Sequence, residues 1–341
     1  MTSQRPLLLL TIDVEEDMPG WEITDPISVE NARSLRPMAD ACAELGVRPT
    51  YLCTYPMATE PASVEVLREL HARGDCEIGT HLHPWNTPPF LGIPNREGIP
   101  NKAIDERTLP YYQFQLGPER FRKKLHSLHG ALTELTGAAP TAFRAGRFGI
   151  DAATLCELLP FGYEVDSSVT PLDSHRGNGG GPDFRRAPRF PYRPSRDHVG
   201  KRGDLDIVEI PVSVGVTRVL PKTLLNAYVH LPQSLHVRGL LSRDYLGLVD
   251  FAWLYPARFD LDLMTRLART LMEEGNPILN VFLHSNELAT GRSGRLESAL
   301  ESEGEECLAR TRDLLVFCIE ELGAEPVTLT EAGRRFAPTL S

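Results

Sequence analysis

The segment that decides the fold is Leu7–Asp17, with the sequence LLLLTIDVEED, an apolar run that ends in carboxylates. Residues 7–14 are too few for a membrane span, and acidic side chains stand where a signal peptide would have its cleavage site, so a buried strand is predicted. Side chains alternate along a strand, which places Asp13 and Glu15 on one face. Converging carboxylates suit a metal ligand beside a general base, although an acidic junction between strand and loop is an equally open alternative.

Similar apolar segments recur along the chain and alternate with amphipathic runs. The further predicted strands are residues 47–54, 76–81, 142–144, 163–167, 207–212, 278–284 and 326–329. The predicted helices are residues 29–45, 63–73, 118–136, 152–159, 260–274 and 304–322. This alternation is typical of parallel strands joined by helical crossovers, and the number of units suits a barrel of seven or eight strands. We therefore expect an α/β protein with one domain over residues 1–341.

Composition narrows the class of protein. The chain has 341 residues, 41% hydrophobic and 24% charged residues and a net charge of −10. These proportions exclude disordered, collagen-like and disulfide-rich small proteins, and the acidic balance argues against a general nucleic-acid binder. No stretch reaches the ~18 apolar residues of a membrane span. The six cysteines show no CxxC spacing, so free thiols are expected, and the simplest expected location is the cytoplasm.

Two long segments interrupt the alternation, each after a predicted strand. Residues 84–116 contain prolines at 84, 88, 89, 94, 100 and 110, and residues 171–206 are rich in Gly, Pro and Arg. Loops that follow the strands of a parallel α/β fold form the face where sites assemble, so both loops are candidate walls of a cleft. A solvated insertion is the alternative for each.

Polar side chains stand at several other strand ends. His81 and His83 lie in EIGTHLHPW and are spaced so that both imidazoles can reach one divalent ion. Arg144 ends the strand of FRAGRFG, where its guanidinium would lower the pKa of Asp13 if the two approach each other. Asp166 ends YEVDSS, and His284 ends the apolar strand of FLHSNE. A histidine titrates near neutral pH and can protonate a leaving group.

The order and separation of these motifs resemble those of the polysaccharide deacetylases, carbohydrate esterase family 4. The resemblance runs from about residue 7 to residue 329. It implies a distorted (β/α) barrel, a divalent metal ion, usually zinc, and hydrolysis of an N-acetyl or O-acetyl group on a sugar. Position by position, it implies that Asp13 is the general base, Arg144 orients that base, His284 is the general acid, and Asp166 tunes the histidine or lines the groove.

The metal-binding motifs depart from the family pattern at two positions. Val14 stands where the metal-binding acid usually follows the base, so Glu15 is the matching ligand of the less common Asp-x-Glu form. Trp85 stands where the second histidine is usual. The resemblance then implies Glu15, His81 and His83 as metal ligands, with His83 chosen as the nearby imidazole. Trp85 and Arg147 are expected to border the substrate.

The partner that these motifs imply is an acetylated sugar or glycan precursor. An anionic one is suggested by a basic segment in an otherwise acidic chain, although a flexible basic loop explains the same residues. Its cations are Arg176, Arg185, Arg186, Arg189, Arg193, Arg196, Lys201 and Arg202, set against Asp183 and Asp197. Two other functions stay open: a carbohydrate-binding protein that has lost catalysis, suggested by Val14 and Trp85, and an amidohydrolase that acts on a small non-sugar amide.

Overall fold

The protein is organised around one curled parallel sheet. A computed structural model describes residues 5–18, 26–90, 112–177, 179–231, 241, 246–289 and 302–340. Seven strands follow one another across the sheet in the order β11-β1-β2-β3-β4-β5-β8. They are β1 (Leu7–Val14), β2 (Thr50–Cys53), β3 (Glu77–Leu82), β4 (Ala142–Ala145), β5 (Val165–Asp166), β8 (Val208–Glu209) and β11 (Ile278–His284). A further short strand, β12 (Glu325–Pro326), also pairs with β1.

Every neighbouring pair in this sheet is parallel, so the carboxyl ends of the strands lie at one edge. β1 is buried along all eight residues because β11 and β2 flank it on both sides and both of its faces are covered. Between β8 and β11 an irregular segment continues the curve: the Ser213 amide donates to the Asn280 carbonyl at 3.3 Å, and the Asn280 amide donates to Ser213 Oγ at 2.8 Å. The architecture is the predicted distorted (β/α) barrel.

Most helices bury their apolar faces in the main hydrophobic core, whereas the sixth packs in a separate cluster with Val216 and Val249, and the last packs against residues of β1, β5 and β8. The helices are α1 (Leu35–Glu44), α2 (Tyr55–Thr59), α3 (Pro61–Arg73), α4 (Pro118–Thr136), α5 (Ala152–Cys156), α6 (Lys222–Val229), α7 (Leu261–Glu273), α8 (Ser302–Glu320) and α9 (Leu329–Phe336). Both α3 and α4 end at a glycine in the left-handed conformation, Gly74 and Gly137, as the predicted helix ends require. A 3-10 turn, Glu30–Ser34, forms the first part of the helix predicted from residue 29.

The strands predicted at residues 7–14 and 278–284 are confirmed at both ends. The last predicted strand, residues 326–329, is wrong beyond Pro326. Thr328 accepts a hydrogen bond from the Glu331 amide through its side chain and so caps α9, which begins at Leu329. The apolar residues Val327 and Leu329 pack in the core as part of a helix entry, which periodicity over four residues does not separate from a strand.

Short antiparallel strands occupy two segments that the sequence pattern left irregular. In the loop of residues 171–206, β6 (Pro194–Ser195) pairs with β7 (His198–Arg202). After β8, strands β9 (Val214–Val216) and β10 (Phe251–Trp253) form a second ribbon, with α6 between them in sequence. In the proline-rich loop of residues 84–116, the part from 91 to 111 lies outside the described residues.

All six cysteines are free thiols in the structure. Among the described residues, no helix combines the length and the apolar character that crossing a membrane would require.

Gly79 in β3 is a point at which the barrel tolerates no side chain. A Cβ there would lie 2.8 Å from Leu52 Cδ2 and 2.9 Å from the Ala142 carbonyl oxygen. We predict that Gly79→Ala lowers the free energy of unfolding by about 1–3 kcal/mol because the neighbouring strands must shift. Gly130→Ala is the matched control: on exposed α4 surface with nothing within 4 Å, it should stabilise by up to about 1 kcal/mol. Urea denaturation of both variants measures this, and equal effects would contradict it.

Candidate active site

The site lies at the carboxyl edge of the sheet, where the strand register brings its residues together. Asp13 and His284 are register partners on β1 and β11, and His81 and Arg144 are register partners on β3 and β4. Glu15 follows β1 on the face of Asp13, since side chains alternate along a strand. Residues that are far apart in sequence therefore meet because parallel strands end together.

Glu15, His81 and His83 form a group that could hold a metal ion. His81 Nε2 and His83 Nε2 each lie 2.9 Å from Glu15 Oε1, and one ligand atom from each of the three residues lies within 4.8 Å of the others. Glu15 Oε2 is buried and has no hydrogen-bond donor among the residues that the structure describes. Two imidazoles and one carboxylate, which has a buried oxygen without a hydrogen-bond donor, form a donor set that fits a divalent cation.

The orientation of His81 is determined by the strand beside it. Its Nδ1 lies 3.0 Å from the backbone carbonyl oxygen of Arg144. That carbonyl accepts the Nδ1 proton and aims Nε2 at Glu15. Metal-binding histidines usually have such a partner on the second nitrogen, because it holds both the tautomer and the ring orientation.

Charge interactions adjust the protonation of this group. Burial alone would raise the pKa of Glu15, but His83 and His81 hold it well below its usual range, so the carboxylate is ionised. Burial lowers the pKa of His83 to about 4, although Glu15 opposes the shift. A neutral imidazole next to an anionic carboxylate is the state in which both can donate a lone pair to a cation.

Asp13 is held by Arg144, whose side chain is fully buried. Nη1 of Arg144 donates to Asp13 Oδ1 at 2.8 Å, while Nη2 donates to Thr11 Oγ1 and Nε to the Ser167 carbonyl, both at 2.8 Å. The other oxygen, Asp13 Oδ2, lies 3.7 Å from His81 Nε2. Arg144 therefore orients the carboxylate so that Oδ2 faces the candidate metal ligands.

His284 has partners that sequence reasoning missed. Its Nδ1 lies 3.1 Å from Tyr255 Oη and 3.4 Å from Glu287 Oε1, and its backbone amide donates to Glu287 Oε2 at 3.0 Å. Tyr255 Oη also donates to Glu287 Oε1. Burial would lower the pKa of His284, but Glu287 outweighs it and raises the pKa to about 9. The signal for Glu287 was present in FLHSNE, three residues after the histidine; nothing in the sequence points to Tyr255.

Trp85 and Arg147 lie over His83. The Trp85 ring centroid is 4.1 Å from that of His83, and the Arg147 guanidinium carbon is 4.3 Å from the Trp85 centroid. Arg147 has φ 55° and Phe148 has φ 56°, a left-handed turn that is rare for large side chains. Gly146 allows this packing, since a Cβ there would lie 2.7 Å from His83 Nδ1.

Asp166 lies beside Glu209 rather than among the candidate ligands. Its Oδ1 accepts a hydrogen bond from Ser168 Oγ at 2.5 Å, and Glu209 is its register partner on the neighbouring strand β8. The carboxylate in contact with His284 is that of Glu287. Sequence reasoning assigned no role to Glu209, because one acidic residue in an apolar strand carries no motif.

The basic segment lines a separate surface pocket of about 700 Å³ with Phe184, His198 and His230. Most of its cations already have acidic partners. Arg185 binds Asp183 at 2.6 Å, and ion pairs also involve the arginines at 176, 189, 193 and 196. Arg186, Lys201 and Arg202 have no acidic partner within the described parts of the chain, and Arg202 lies over the Tyr192 ring. Less positive charge is thus available than the sequence suggests.

Comparison with solved structures identifies the architecture, whereas no family model and no curated protein matches the sequence. A protein from Parabacteroides distasonis assigned as a glycoside hydrolase/deacetylase aligns with a TM-score of 0.61 and 14% identity, over 97% of this chain and 71% of its own. A protein from Mycobacterium smegmatis assigned as a polysaccharide deacetylase gives 0.56 and 15%, over 100% and 94%. The Puue allantoinase gives 0.54 and 14%, over 99% and 92%. At these identities the likeness establishes a shared fold, which is that of the deacetylase-type barrel.

The candidate ligand group makes a direct prediction about metal binding. We expect His83→Ala to lose a stoichiometric divalent ion, because one carboxylate and one imidazole remain. Elemental analysis after loading with zinc and dialysis measures it. His126→Ala removes an exposed histidine of α4 and should keep full metal content. Equal metal content in the two variants would remove His83 from the ligand set.

Proposed function

We propose that this chain is a divergent polysaccharide deacetylase, a metal-dependent hydrolase that removes an acetyl group from a sugar or glycan precursor. The acetyl group that we expect is an N-acetyl group. The observation that carries the proposal is the placement of three groups at one edge of a deacetylase-type barrel. The ligand group of Glu15, His81 and His83 has the Arg144-held Asp13 on one side, and it has His284 within reach as well. Zinc is the expected ion, since two histidines and a carboxylate are a ligand set that it favours.

The chain's own residues would divide the proton transfers of amide hydrolysis between them. When bound, the metal ion would polarise the acetyl carbonyl and lower the pKa of water. Asp13 accepts the proton of the attacking water at Oδ2, because Arg144 occupies Oδ1. His284 donates a proton to the departing nitrogen as the C–N bond breaks, and its Nδ1 stays with Tyr255 and Glu287. The products are acetate and a free amine.

Trp85 and Arg147 supply the edge of the substrate site in this proposal. Trp85 is buried between His83 and Arg147, so in this proposal Trp85 supports the Arg147 guanidinium, which would border the acetyl position. An anionic substrate remains a prediction, for which Arg186, Lys201 and Arg202 are the cations of the basic segment without acidic partners among the described residues. A cytoplasmic location remains a prediction from the sequence.

An amidohydrolase that acts on a small non-sugar amide is the second candidate. The depth of the site favours it, since Asp13, Glu15, His81 and His83 are each at most 3% exposed. A neighbour named as an allantoinase shares the fold. Acetate release from N-acetylated mono- and oligosaccharides by zinc-loaded protein supports the first function, and ring opening of allantoin-like cyclic amides alone, measured as the new carboxylate product, supports the second. Glycan binding without turnover of either set would favour a binding protein.

Removing either proton-transfer group should leave a folded, metal-loaded and slow enzyme. We expect Asp13→Asn and His284→Gln each to lower kcat by ~10²- to 10⁴-fold, the usual contribution of general acid–base catalysis. Acetate assays together with metal analysis separate this result from metal loss. Retention of parental kcat in either variant would exclude that residue from its role.

The Glu287 carboxylate should determine the alkaline limit of activity. His284 must be protonated to act as an acid, so activity falls as pH rises through its pKa, which Glu287 raises to about 9 while Glu15 and Asp13 act in the same direction. Glu287→Gln removes one of these charges, and we expect the alkaline limb of the kcat profile to move to lower pH. An unmoved limb would show that the limb belongs to another group.

A further inference from the structure

A second pair of buried carboxyl groups lies at the carboxyl ends of β5 and β8. Asp166 and Glu209 are register partners on these strands, and both are 0% exposed. The mechanism above uses neither of them. Two acidic side chains side by side in a region without water need a physical reason to stay there.

Hydrogen bonds from neighbouring residues reach two of the four carboxyl oxygens of the pair. Glu209 Oε1 accepts from the Val169 amide at 3.0 Å, and Asp166 Oδ1 accepts from Ser168 Oγ at 2.5 Å. The remaining oxygens, Asp166 Oδ2 and Glu209 Oε2, are buried and receive no N–H or O–H from the described residues, although the two side chains stand side by side on paired strands. Two carboxylate oxygens repel each other unless a proton lies between them.

The charged surroundings agree with one retained proton. Burial raises the pKa of Asp166, and burial together with Asp166 raises the pKa of Glu209 well above its usual range. Arg144 on β4 lowers the pKa of both carboxyl groups, because its positive charge favours a pair that carries one negative charge over a neutral pair. Tyr192 also faces the pair, and its own pKa is raised well above the usual value by burial and by these two carboxyls. From α9, Arg334 is paired with Glu164.

The pair is connected to the candidate active site through the segment 167–169. Ser168 Oγ, which donates to Asp166, accepts from the Ala145 amide at 2.8 Å. Ser167 next to it accepts Arg144 Nε at its carbonyl oxygen and Nη2 at its hydroxyl, at 2.8 and 2.9 Å. Movement of this segment would therefore move the guanidinium that orients Asp13.

We propose that Asp166 and Glu209 share one proton and act as positioning residues, which hold the 167–169 segment so that Arg144 orients Asp13. The shared proton is inferred from the burial, the strand register and the two unsatisfied oxygens of the pair, whereas the positioning role rests on the proposed function. Asp166 then acts through Ser168 and Arg144 and does not touch substrate.

Infrared difference spectroscopy tests the proton without any assay of activity. The parent protein at neutral pH should show the C=O stretch of a protonated carboxylic acid that is lost in Glu209→Gln and also in Asp166→Asn. An amide N–H replaces the shared proton in either variant, and the remaining carboxyl group ionises. Asp183→Asn, in an ion pair with Arg185, is the control and should keep the band. A band that survives in both pair variants overturns the shared proton.

Stability measured against pH is an independent readout of the same proton. The pKa of Glu209 is raised in the folded state, so the protonated carboxyl group stabilises the fold at low pH. This stabilisation is lost as the pH rises from about 4.5, the pKa of Glu209 in the unfolded chain, toward its pKa in the folded protein. We therefore expect the Tm of Glu209→Gln minus the Tm of the parent protein to increase as the pH rises over this range. A pH-independent difference would contradict the proposal.

If Glu209 is a positioning residue, its replacement by glutamine should retain activity and its replacement by alanine should reduce activity. Glu209→Gln should keep kcat within about threefold of the parent, whereas Glu209→Ala should lower kcat on the order of 10- to 100-fold with little change in KM, as for a displaced catalytic group. Equal kcat in the alanine variant and the parent, or equal loss in the glutamine and alanine variants, would overturn it.

If Glu209→Ala does not fold, Glu209→Gln still decides the outcome through its kcat and its spectrum. If no substrate is turned over by the parent, the proposed function fails while the infrared and stability results still decide the shared proton.

Discussion

The buried charge of Arg144 is the constraint on which the site depends. A guanidinium without solvent must be paired and fully hydrogen-bonded, because an unpaired buried charge costs several kcal/mol. Arg144 meets this condition with Asp13, Thr11 and Ser167. Its backbone carbonyl also receives His81 Nδ1. One residue of β4 thereby links the proposed general base to a candidate metal ligand, and the same hydrogen bonds that stabilise the fold set the direction of both.

Strand alternation explains how the divergent positions still produce a coherent group. Glu15 is two residues after Asp13, and His83 is two residues after His81, so each pair projects from the same face of its strand. The His81 and His83 imidazoles both contact Glu15 Oε1, although Val14 and Trp85 occupy the positions more usual for ligands. Trp85 is retained in the same region as a cover for His83. His83 itself lies so close to Gly146 that a Cβ there would be 2.7 Å from His83 Nδ1.

The polar residues that support the site were less accessible to prediction than those that form it. Asp13, His81 and His284 stand at the ends of recognisable apolar strands, and the parallel sheet brings those ends together. Tyr255 lies in an irregular segment 29 residues from His284, and Glu209 lies in a two-residue strand. Their roles depend on distances of about 3 Å across the fold, which neither periodicity nor residue type contains. Short strands and ribbons such as β6 and β9 escaped prediction for a related reason, since tertiary pairing stabilises them more than local pattern does.

By itself the sequence determined that apolar runs alternate with amphipathic ones, that a parallel sheet follows, and that carboxylates, imidazoles and a guanidinium stand at the strand ends. That information is local, because side-chain alternation and helical periodicity are properties of a few consecutive residues. The tertiary structure alone decided which of these groups face each other: Glu15 and two imidazoles, His284 and Glu287, and Asp166 and Glu209. Such pairings arise only after burial removes water, since the loss of solvation makes each charged group depend on the neighbour that the fold places against it.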